Sequence, residues 1–281
     1  MKDGFITEAR REFHLRILSG IVRTNAKGTP NFADSSSVLS SSIAREMLSL
    51  FGGSAGEGLL TAQTAGLVFE DLCLSFLRDC FEKIAHLRPG KWMFARNLSI
   101  ARFEQYKHLV DVENLTALHP ELAAVLGGNY IIKPDIVVSR EPEEDDMINM
   151  SGSVVDALSA NRTVLRKANG TDPILHASVS CKWTLRSDRS QNSRTEALNL
   201  IRNRKGHLPH IVVVTAEPMP SRIASIALGT GDVDCVYHFA LKELEQAIDT
   251  IGAEDSAELI DNMIRGNRLK DISDLPLDLA V

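Results

Sequence analysis

The sequence predicts an α/β fold in which a mixed central sheet is flanked by helices and the N-terminal half is helical. Apolar side chains recur at helical spacing along residues 64–87. In the second half, three β-rich runs at 174–185, 211–215 and 233–239 are separated by helical stretches. Strands that alternate with helices are typical of a sheet covered on both faces.

Composition and charge limit the function classes. The chain has 281 residues, of which 44% are hydrophobic and 24% charged, and this excludes collagen-like, low-complexity and wholly disordered proteins. The net charge of −6 argues against a protein that coats nucleic acid by bulk charge, although a local basic face is compatible with it. Without repeats or low-complexity linkers, we expect one domain over residues 1–281, with a helical part over about 1–128 and the sheet over about 129–281.

Cysteine usage and the first residues predict the compartment. The four cysteines form no CxxC pair and no metal-finger spacing, so reduced thiols in a cytosol are expected. The N-terminus has no apolar signal core, and no apolar run approaches the roughly 20 residues that cross a bilayer. We therefore expect a cytoplasmic protein.

In the N-terminal half the pattern predicts helices over residues 5–18, 43–51 and 64–87, and one or two more within 99–127. Between the first two, residues 25–42 are rich in Ser, Asn, Gly and Asp, which predicts a long exposed segment.

The second half begins with a β-rich run at 130–139 and an acidic loop at 141–146, and residues 150–172 are weakly patterned. Further helices are predicted over 190–204, 222–228, 241–251 and 254–266.

Clean alternation along the strand at 174–185 separates a core face from a polar face. The core face is predicted to hold Ala177, Val179, Cys181, Trp183 and Leu185. The polar face carries His176, Ser178, Ser180, Lys182 and Thr184. In the preceding strand Lys133 and Asp135 share one face, so Asp135 and Lys182 can approach each other if the two strands are neighbours.

The helix that follows adds Glu196. Two acids and an ammonium that converge from two strands and a helix suit phosphodiester hydrolysis. A hard cation such as Mg²⁺ takes carboxylate, carbonyl and water oxygens, and the main-chain carbonyl of Cys181 could be a further ligand. The metal would activate a water, and Lys182 would stabilise charge on the phosphate.

Each of these residues also has a purely structural interpretation. Asp135 could be an ordinary strand-entry carboxylate, and Lys182 could simply be solvated on an exposed face. Glu196 closes a Ser193–Glu196 match to the capping box and could do no more than start a helix.

A basic strip follows Lys182 along the chain. Residues 182–205 hold seven basic and two acidic side chains, a net +5 in a protein whose total is −6. Such segregation suits phosphate contacts while the acidic remainder suppresses indiscriminate adhesion to DNA.

Within this strip the run Arg186-Ser187-Asp188-Arg189 has a specific interpretation. Arginine bonds guanine O6 and N7 in the major groove, and a carboxylate accepts from cytosine N4. Two arginines and one aspartate could read adjacent G·C pairs, and a two-fold would extend this to a palindrome. Alternatively, the arginines pair with acidic residues on the surface.

Taken together, Pro134-Asp135, Ser180-Cys181-Lys182, residues 186–189 and Glu196 resemble the PD-(D/E)XK nucleases. More narrowly, they resemble the NgoMIV-type type II restriction endonucleases. The similarity extends over nearly the whole chain and includes residues 202–206, 209–214 and 271–276. It implies a restriction-endonuclease-like fold, Mg²⁺ as cofactor and double-stranded DNA as partner.

For the catalytic residues, the position two before Lys182 is Ser180, where the general nuclease pattern has an acid. In the NgoMIV-like branch that acid comes from the following helix, which is the place of Glu196. The resemblance implies that Asp135 is the bridging metal ligand and that Lys182 orients the attacking water. It also implies that Glu70, on the long N-terminal helix, holds a water at the metal.

For DNA, the resemblance assigns Arg186, Ser187, Asp188 and Arg189 to a central CCGG. It assigns a second set to the outer base pair: Asp34, Ser36, Gln63 and Arg222. It further implies cleavage of GCCGGC with 5′ overhangs by a homotetramer that engages two sites. Two other functions stay open from the residues: a repair or junction nuclease with the same core, and a DNA-binding module without hydrolysis.

Overall fold

In the computed structural model the structure is described for residues 3–52, 55–56, 60–119, 121, 124, 130–185, 187–229 and 231–281. For residues 187–191 the backbone alone is described. No helix in these ranges is both long enough and apolar enough to cross a membrane.

Helices and strands alternate along the described chain. The helices are α1 Phe5–Gly20, α2 Val38–Leu50, α3 Ala62–Lys83, α4 Leu109–Leu118, α5 Asp145–Ile148, α6 Ser187–Asn203, α7 Pro220–Ala227, α8 Leu241–Ile251, α9 Glu254–Arg265 and α10 Leu275–Asp278. The strands are β1 Trp92–Arg96, β2 Ile136–Arg140, β3 Ile174–Lys182, β4 His210–Thr215, β5 Cys235–His238 and β6 Leu269–Asp271. Single 3-10 turns occur at Ile100–Arg102 and Lys167–Asn169.

The six strands form one sheet in the order β1-β2-β3-β4-β5-β6. β1 and β2 pair antiparallel, whereas β4, β5 and β6 pair parallel, so the sheet is mixed. The parallel pairs are joined by helices because a parallel connection must carry the chain back to the same edge of the sheet. The predicted α/β class with a mixed sheet is confirmed.

By its internal contacts the chain forms two compact units, each built from discontinuous segments. The first unit comprises Met1–Ile84, Val179–Thr195 and Ile211–Val281. The second comprises Ala85–Ser178 and Glu196–His210. Strand β3 and helix α6 each contribute residues to both units. The expected single domain stays a prediction.

An aromatic cluster fixes the chain at the end of β3 in the first unit. The Trp183 ring lies 5.2 Å from Phe69, 5.8 Å from Phe32 and 6.1 Å from Phe239, measured between centroids. Trp183 is 3% exposed, and the other three rings are buried as well. Burial of large aromatic side chains contributes strongly to core stability, so this cluster holds the residues that follow Lys182.

The segment at 25–42 is not exposed throughout, which corrects the expectation from its composition. Phe32 is fully buried, and α2 begins at Val38 rather than at residue 43. Ser37 caps this helix by accepting a hydrogen bond from the Ser40 amide. The buried Phe32 ring and the Ser37 cap order this segment, although its polar composition predicted exposure to solvent.

The N-terminal half is not entirely helical, because β1 lies within it. All five residues of β1 are half-buried, so no period of two marks the strand. Its apolar run, residues 92–95, is too short to distinguish a strand from a helix. In the second unit the Trp92 ring contacts His176, which in turn contacts His210. The short strand β6 was also missed. Helix α4 ends at Leu118, and most of the predicted helical stretch beyond it, including Gly127-Gly128, lies outside the described residues.

In the second unit a buried glutamine fixes the start of β3. The Gln105 side chain donates to the Leu175 carbonyl at 2.7 Å and accepts from the Leu175 amide at 2.9 Å. Nearby, the Tyr106 hydroxyl donates to the Leu200 carbonyl on α6. These bonds satisfy the buried polar groups of Gln105 and Tyr106.

Candidate functional site

Strand β3 presents its two faces as the alternation predicts. Ala177, Val179 and Cys181 are buried, whereas Ser180 and Lys182 are half-buried on the other face. Ser178 departs from this pattern, because it lies on the polar face and is 6% exposed.

Lys182 is the last residue of β3, and the end of β4 with the residue that follows holds its backbone. The Lys182 carbonyl accepts hydrogen bonds from the Thr215 hydroxyl at 2.8 Å and from the Ala216 amide at 3.3 Å. These two donors hold the backbone of Lys182 against the end of β4.

In the second unit, Asp135 directly precedes β2 and is half-buried. Its carbonyl accepts from the Asn97 amide at 3.3 Å, just beyond the end of β1. β2 and β3 are neighbours in the sheet. That Asp135 and Lys182 approach each other stays a prediction.

Glu196 lies in the interior of α6, which begins at Ser187, six residues before Ser193. Ser193 is therefore not an N-cap, and the capping-box interpretation of Glu196 is wrong. In the first unit, the Ser193 hydroxyl instead lies 3.5 Å from that of Ser180.

The predicted catalytic residues divide between the two units. Glu70, half-buried on α3, lies in the first unit with Ser180, Cys181 and Lys182. Asp135 and Glu196 lie in the second. That they act as one centre stays a prediction.

The donor chemistry of this set fits a hard divalent cation. Asp135 and Glu196 offer carboxylate oxygens, and Cys181 offers a main-chain carbonyl, since its thiol is buried in the core. Within the described part of the chain, no three His, Cys, Asp or Glu side chains are grouped to hold a metal. A site with one or two carboxylates completed by carbonyl and water oxygens suits Mg²⁺ rather than an all-protein cage.

The predicted base-reading run is only partly visible. Arg186 lies outside the described residues, and Ser187, Asp188 and Arg189 begin α6 with undescribed side chains. One arginine of the basic strip makes bonds within the protein. Arg194 donates to the Ser225 and Leu228 carbonyls, both at 2.7 Å, so its guanidinium serves the fold of the first unit.

Three of the four residues assigned to the outer base pair are brought together in the first unit. The Asp34 carboxylate pairs with the Arg222 guanidinium and accepts from the Ser36 hydroxyl at 2.6 Å and the Ser36 amide at 3.0 Å. Hydrogen bonds from Ser36, and then from Arg222, lower the pKa of Asp34 to about 2. Gln63 is the second residue of α3 and is exposed, next to the Thr61 cap.

A second acid beside Arg222, Glu217, was missed by the sequence analysis. Its side chain is fully buried, accepts from the Leu185 amide at 2.8 Å and the Met219 amide at 3.2 Å, and lies 3.7 Å from Arg222 Nη1. Burial raises the pKa of Glu217 to about 7. The signal that could have found it is an acid closely following the apolar run at 211–214.

Comparison with known proteins identifies the family. The family model described as NgoMIV restriction enzyme matches residues 13–281. The chain belongs to the NgoMIV restriction enzyme family. The type II restriction enzyme NgoMIV of Neisseria gonorrhoeae is 52% identical over 285 residues, which cover 99% of this chain and 100% of that protein.

Two solved structures are more distantly similar. The type IIF restriction endonuclease Bse634I with cognate DNA has 13% identity and a TM-score of 0.38 over 91% of this chain and 92% of that one. The restriction endonuclease PspGI in complex with substrate DNA has 13% identity and a TM-score of 0.33 over 98% and 89%.

As a member of the NgoMIV restriction enzyme family, the protein is a type II restriction endonuclease, a nuclease that binds DNA and cuts it at specific sites. The predicted enzyme class is therefore confirmed. The individual site residues stay predictions.

The burial of Glu217 predicts a pH-dependent stability. The folded pKa of about 7 exceeds the ordinary value of 4.5, so the folded state binds this proton more tightly than the unfolded chain. The resulting stabilisation is complete below pH 4.5 and is lost as the pH rises through 7, a change on the order of 3 kcal/mol. Urea unfolding of the wild type and Glu217→Gln between pH 4.5 and 8 should show the wild type losing free energy of unfolding relative to the variant. A difference that is independent of pH would contradict the assignment.

Proposed function

We propose that the protein is a Mg²⁺-dependent endonuclease that hydrolyses both strands of DNA at a palindromic CCGG-containing site, GCCGGC, and leaves 5′ overhangs. The observation that carries this proposal is the family match over residues 13–281. In this chain Asp135 directly precedes β2, Lys182 ends β3 and Glu196 lies on α6. The ordering of Asp34, Ser36 and Arg222 into one cluster gives separate support to the recognition part.

In the proposed active site, Asp135, Glu196 and the Cys181 carbonyl would hold the metal, and Glu70 would hold a water beside it. Bound Mg²⁺ supplies the positive charge that such hydrolysis requires at the phosphate and its attacking water. Lys182 orients that water and stabilises the charge that develops on the phosphate. Ser180 lies two positions before Lys182 and offers no carboxylate, so the second acidic metal ligand would be Glu196.

For recognition, Arg186, Ser187, Asp188 and Arg189 contact the central CCGG. Arginine donates two bonds to guanine, and aspartate accepts from cytosine amino groups, so this run suits adjacent G·C pairs.

The outer pair is assigned to Asp34, Ser36, Gln63 and Arg222. The Arg222 guanidinium can donate to guanine O6 and N7, and Asp34 and Ser36 can accept from the amino group of the paired cytosine. Because Asp34 already pairs with Arg222 in the protein alone, the guanidinium is held in place before DNA arrives, which lowers the entropic cost of binding.

The proposed assembly is a homotetramer, a dimer of dimers that engages two sites, in the cytoplasm. A two-fold between protomers matches the two-fold of a palindromic site, and a second dimer doubles the number of sites that one particle holds.

Digestion of a plasmid of known sequence tests reaction and specificity together. With Mg²⁺, the protein should give discrete fragments whose mapped ends lie within GCCGGC and carry 5′ overhangs. Asp135→Ala should abolish cutting and retain binding, because it removes a metal ligand without touching a base. Smears or nicks governed by DNA structure would instead indicate a repair or junction nuclease. An uncut plasmid with several divalent metals and folded protein would contradict catalysis.

Replacement of Arg186 tests the base-reading assignment. Arg186→Ala should weaken binding to a GCCGGC duplex by about 1–3 kcal/mol and relax preference for the central pairs, because a bidentate contact to guanine is lost. The matched control is Arg265→Ala on α9, which removes the same charge from an exposed side chain paired with Asp261. Fluorescence anisotropy on specific and scrambled duplexes measures both. Unchanged site preference in Arg186→Ala would show that Arg186 does not read a base.

A further inference from the structure

We propose that Glu217 is a positioning residue for sequence specificity, which couples the backbone leading into Arg186 to the guanidinium of Arg222. The inference rests on the proposed function, in which Arg186 reads the central pairs and Arg222 the outer pair. Glu217 itself would contact no base and would act through Arg186 and Arg222, which are assigned to base contacts.

The first half of this coupling is the contact with Leu185. The Leu185 amide donates to Glu217 Oε2 at 2.8 Å, and the Leu185 side chain is fully buried. Leu185 immediately precedes Arg186 in the sequence, so this bond fixes the last described residue before the base-reading run. Burial raises the pKa of Glu217 to about 7, so the carboxylate form that binds this amide most strongly predominates above that pH.

Neighbouring bonds align the same two stretches of chain. The Glu217 amide donates to the Thr215 hydroxyl at 3.1 Å, and that hydroxyl donates to the Lys182 carbonyl. Residues 215–217 therefore hold the chain at two points, at Lys182 and at Leu185. The same residues therefore support both Lys182, which is assigned to catalysis, and Leu185, which precedes the run assigned to base recognition.

The second half of the coupling is the contact with Arg222. Arg222 Nη1 lies 3.7 Å from Glu217 Oε2, while Nη2 pairs with Asp34. A guanidinium is planar, so two acceptors on different nitrogens restrict its plane as well as its position. Glu217 Oε1 also accepts from the amide of Met219, the N-cap residue of α7, the helix that carries Arg222.

A carboxylate can serve all of these donors, whereas an amide cannot. Glutamine has a single acceptor oxygen and presents an NH₂ group on the other side. In Glu217→Gln, either the Leu185 amide or the Met219 amide loses its acceptor, and the attraction to Arg222 is lost. The shape of the side chain is retained, so the change acts on positioning more than on packing.

The experiment measures kcat/KM on four duplexes that share CCGG and differ in the outer pair: GCCGGC, ACCGGT, TCCGGA and CCCGGG. Glu217→Gln should reduce the preference of the wild type for one outer pair at least tenfold, with a smaller change in the rate on the least preferred duplex. The control is Glu243→Gln, which breaks another carboxylate–arginine pair of the first unit, to Arg10 at 2.6 Å. It should lower the melting temperature and leave the preference unchanged.

The outcomes separate the inference from the function on which it rests. A wild type that prefers an outer pair other than G·C contradicts the proposed site, and the effect of Glu217 is then measured on the pair it does prefer. A Glu217→Gln protein that loses rate equally on all four duplexes, as a merely structural residue would, overturns the inference. If this variant does not fold, Glu217→Asp retains the charge with a shorter reach. It should show an intermediate preference, and an unchanged preference would also overturn the inference.

Discussion

The anchoring of the end of β3 by residues 215–217 is the constraint on which the first unit's functional surface depends. The hydroxyl of Thr215, at the end of β4, bonds the Lys182 carbonyl, and the carboxylate of Glu217, just beyond β4, bonds the Leu185 amide. Between these bonds lies Trp183, whose ring is buried among three other aromatic side chains. The hydrogen bonds fix the backbone positions of Lys182 and Leu185, and the burial of the Trp183 ring fixes that residue, which lies between them, against the core.

This arrangement has a stability cost. A fully buried carboxylate is unfavourable unless it is well paired, and the raised pKa of Glu217 reflects that cost. A hydrophobic residue of similar size would stabilise the core more, but it would leave two backbone amides without their acceptor. Titratable groups with strongly shifted pKa values concentrate at functional sites, which agrees with the position of Glu217 beside residues assigned to DNA.

How far the sequence predicts the molecule depends on whether the cause is local. Period-two alternation identified the core face of β3, and helical spacing identified α3. Both patterns involve residues that are close together in the sequence. The strand β1 and the order around Phe32 were missed because distant partners create them. Asp34 and Arg222 were assigned to one base pair by family resemblance alone, since 188 positions separate them. No periodicity could have placed Glu217 between Leu185 and Arg222.

The anchoring of β3 is tested most directly by hydrogen exchange at the Leu185 amide. At a pH above 7, where Glu217 is ionised, the account predicts slow exchange in the wild type and in Glu243→Ala. Exchange should be faster by at least about tenfold in Glu217→Ala, because a buried bond to a charged acceptor is worth about 1.5–3 kcal/mol. An amide that exchanges at the rate of an unprotected chain in the wild type would contradict the account.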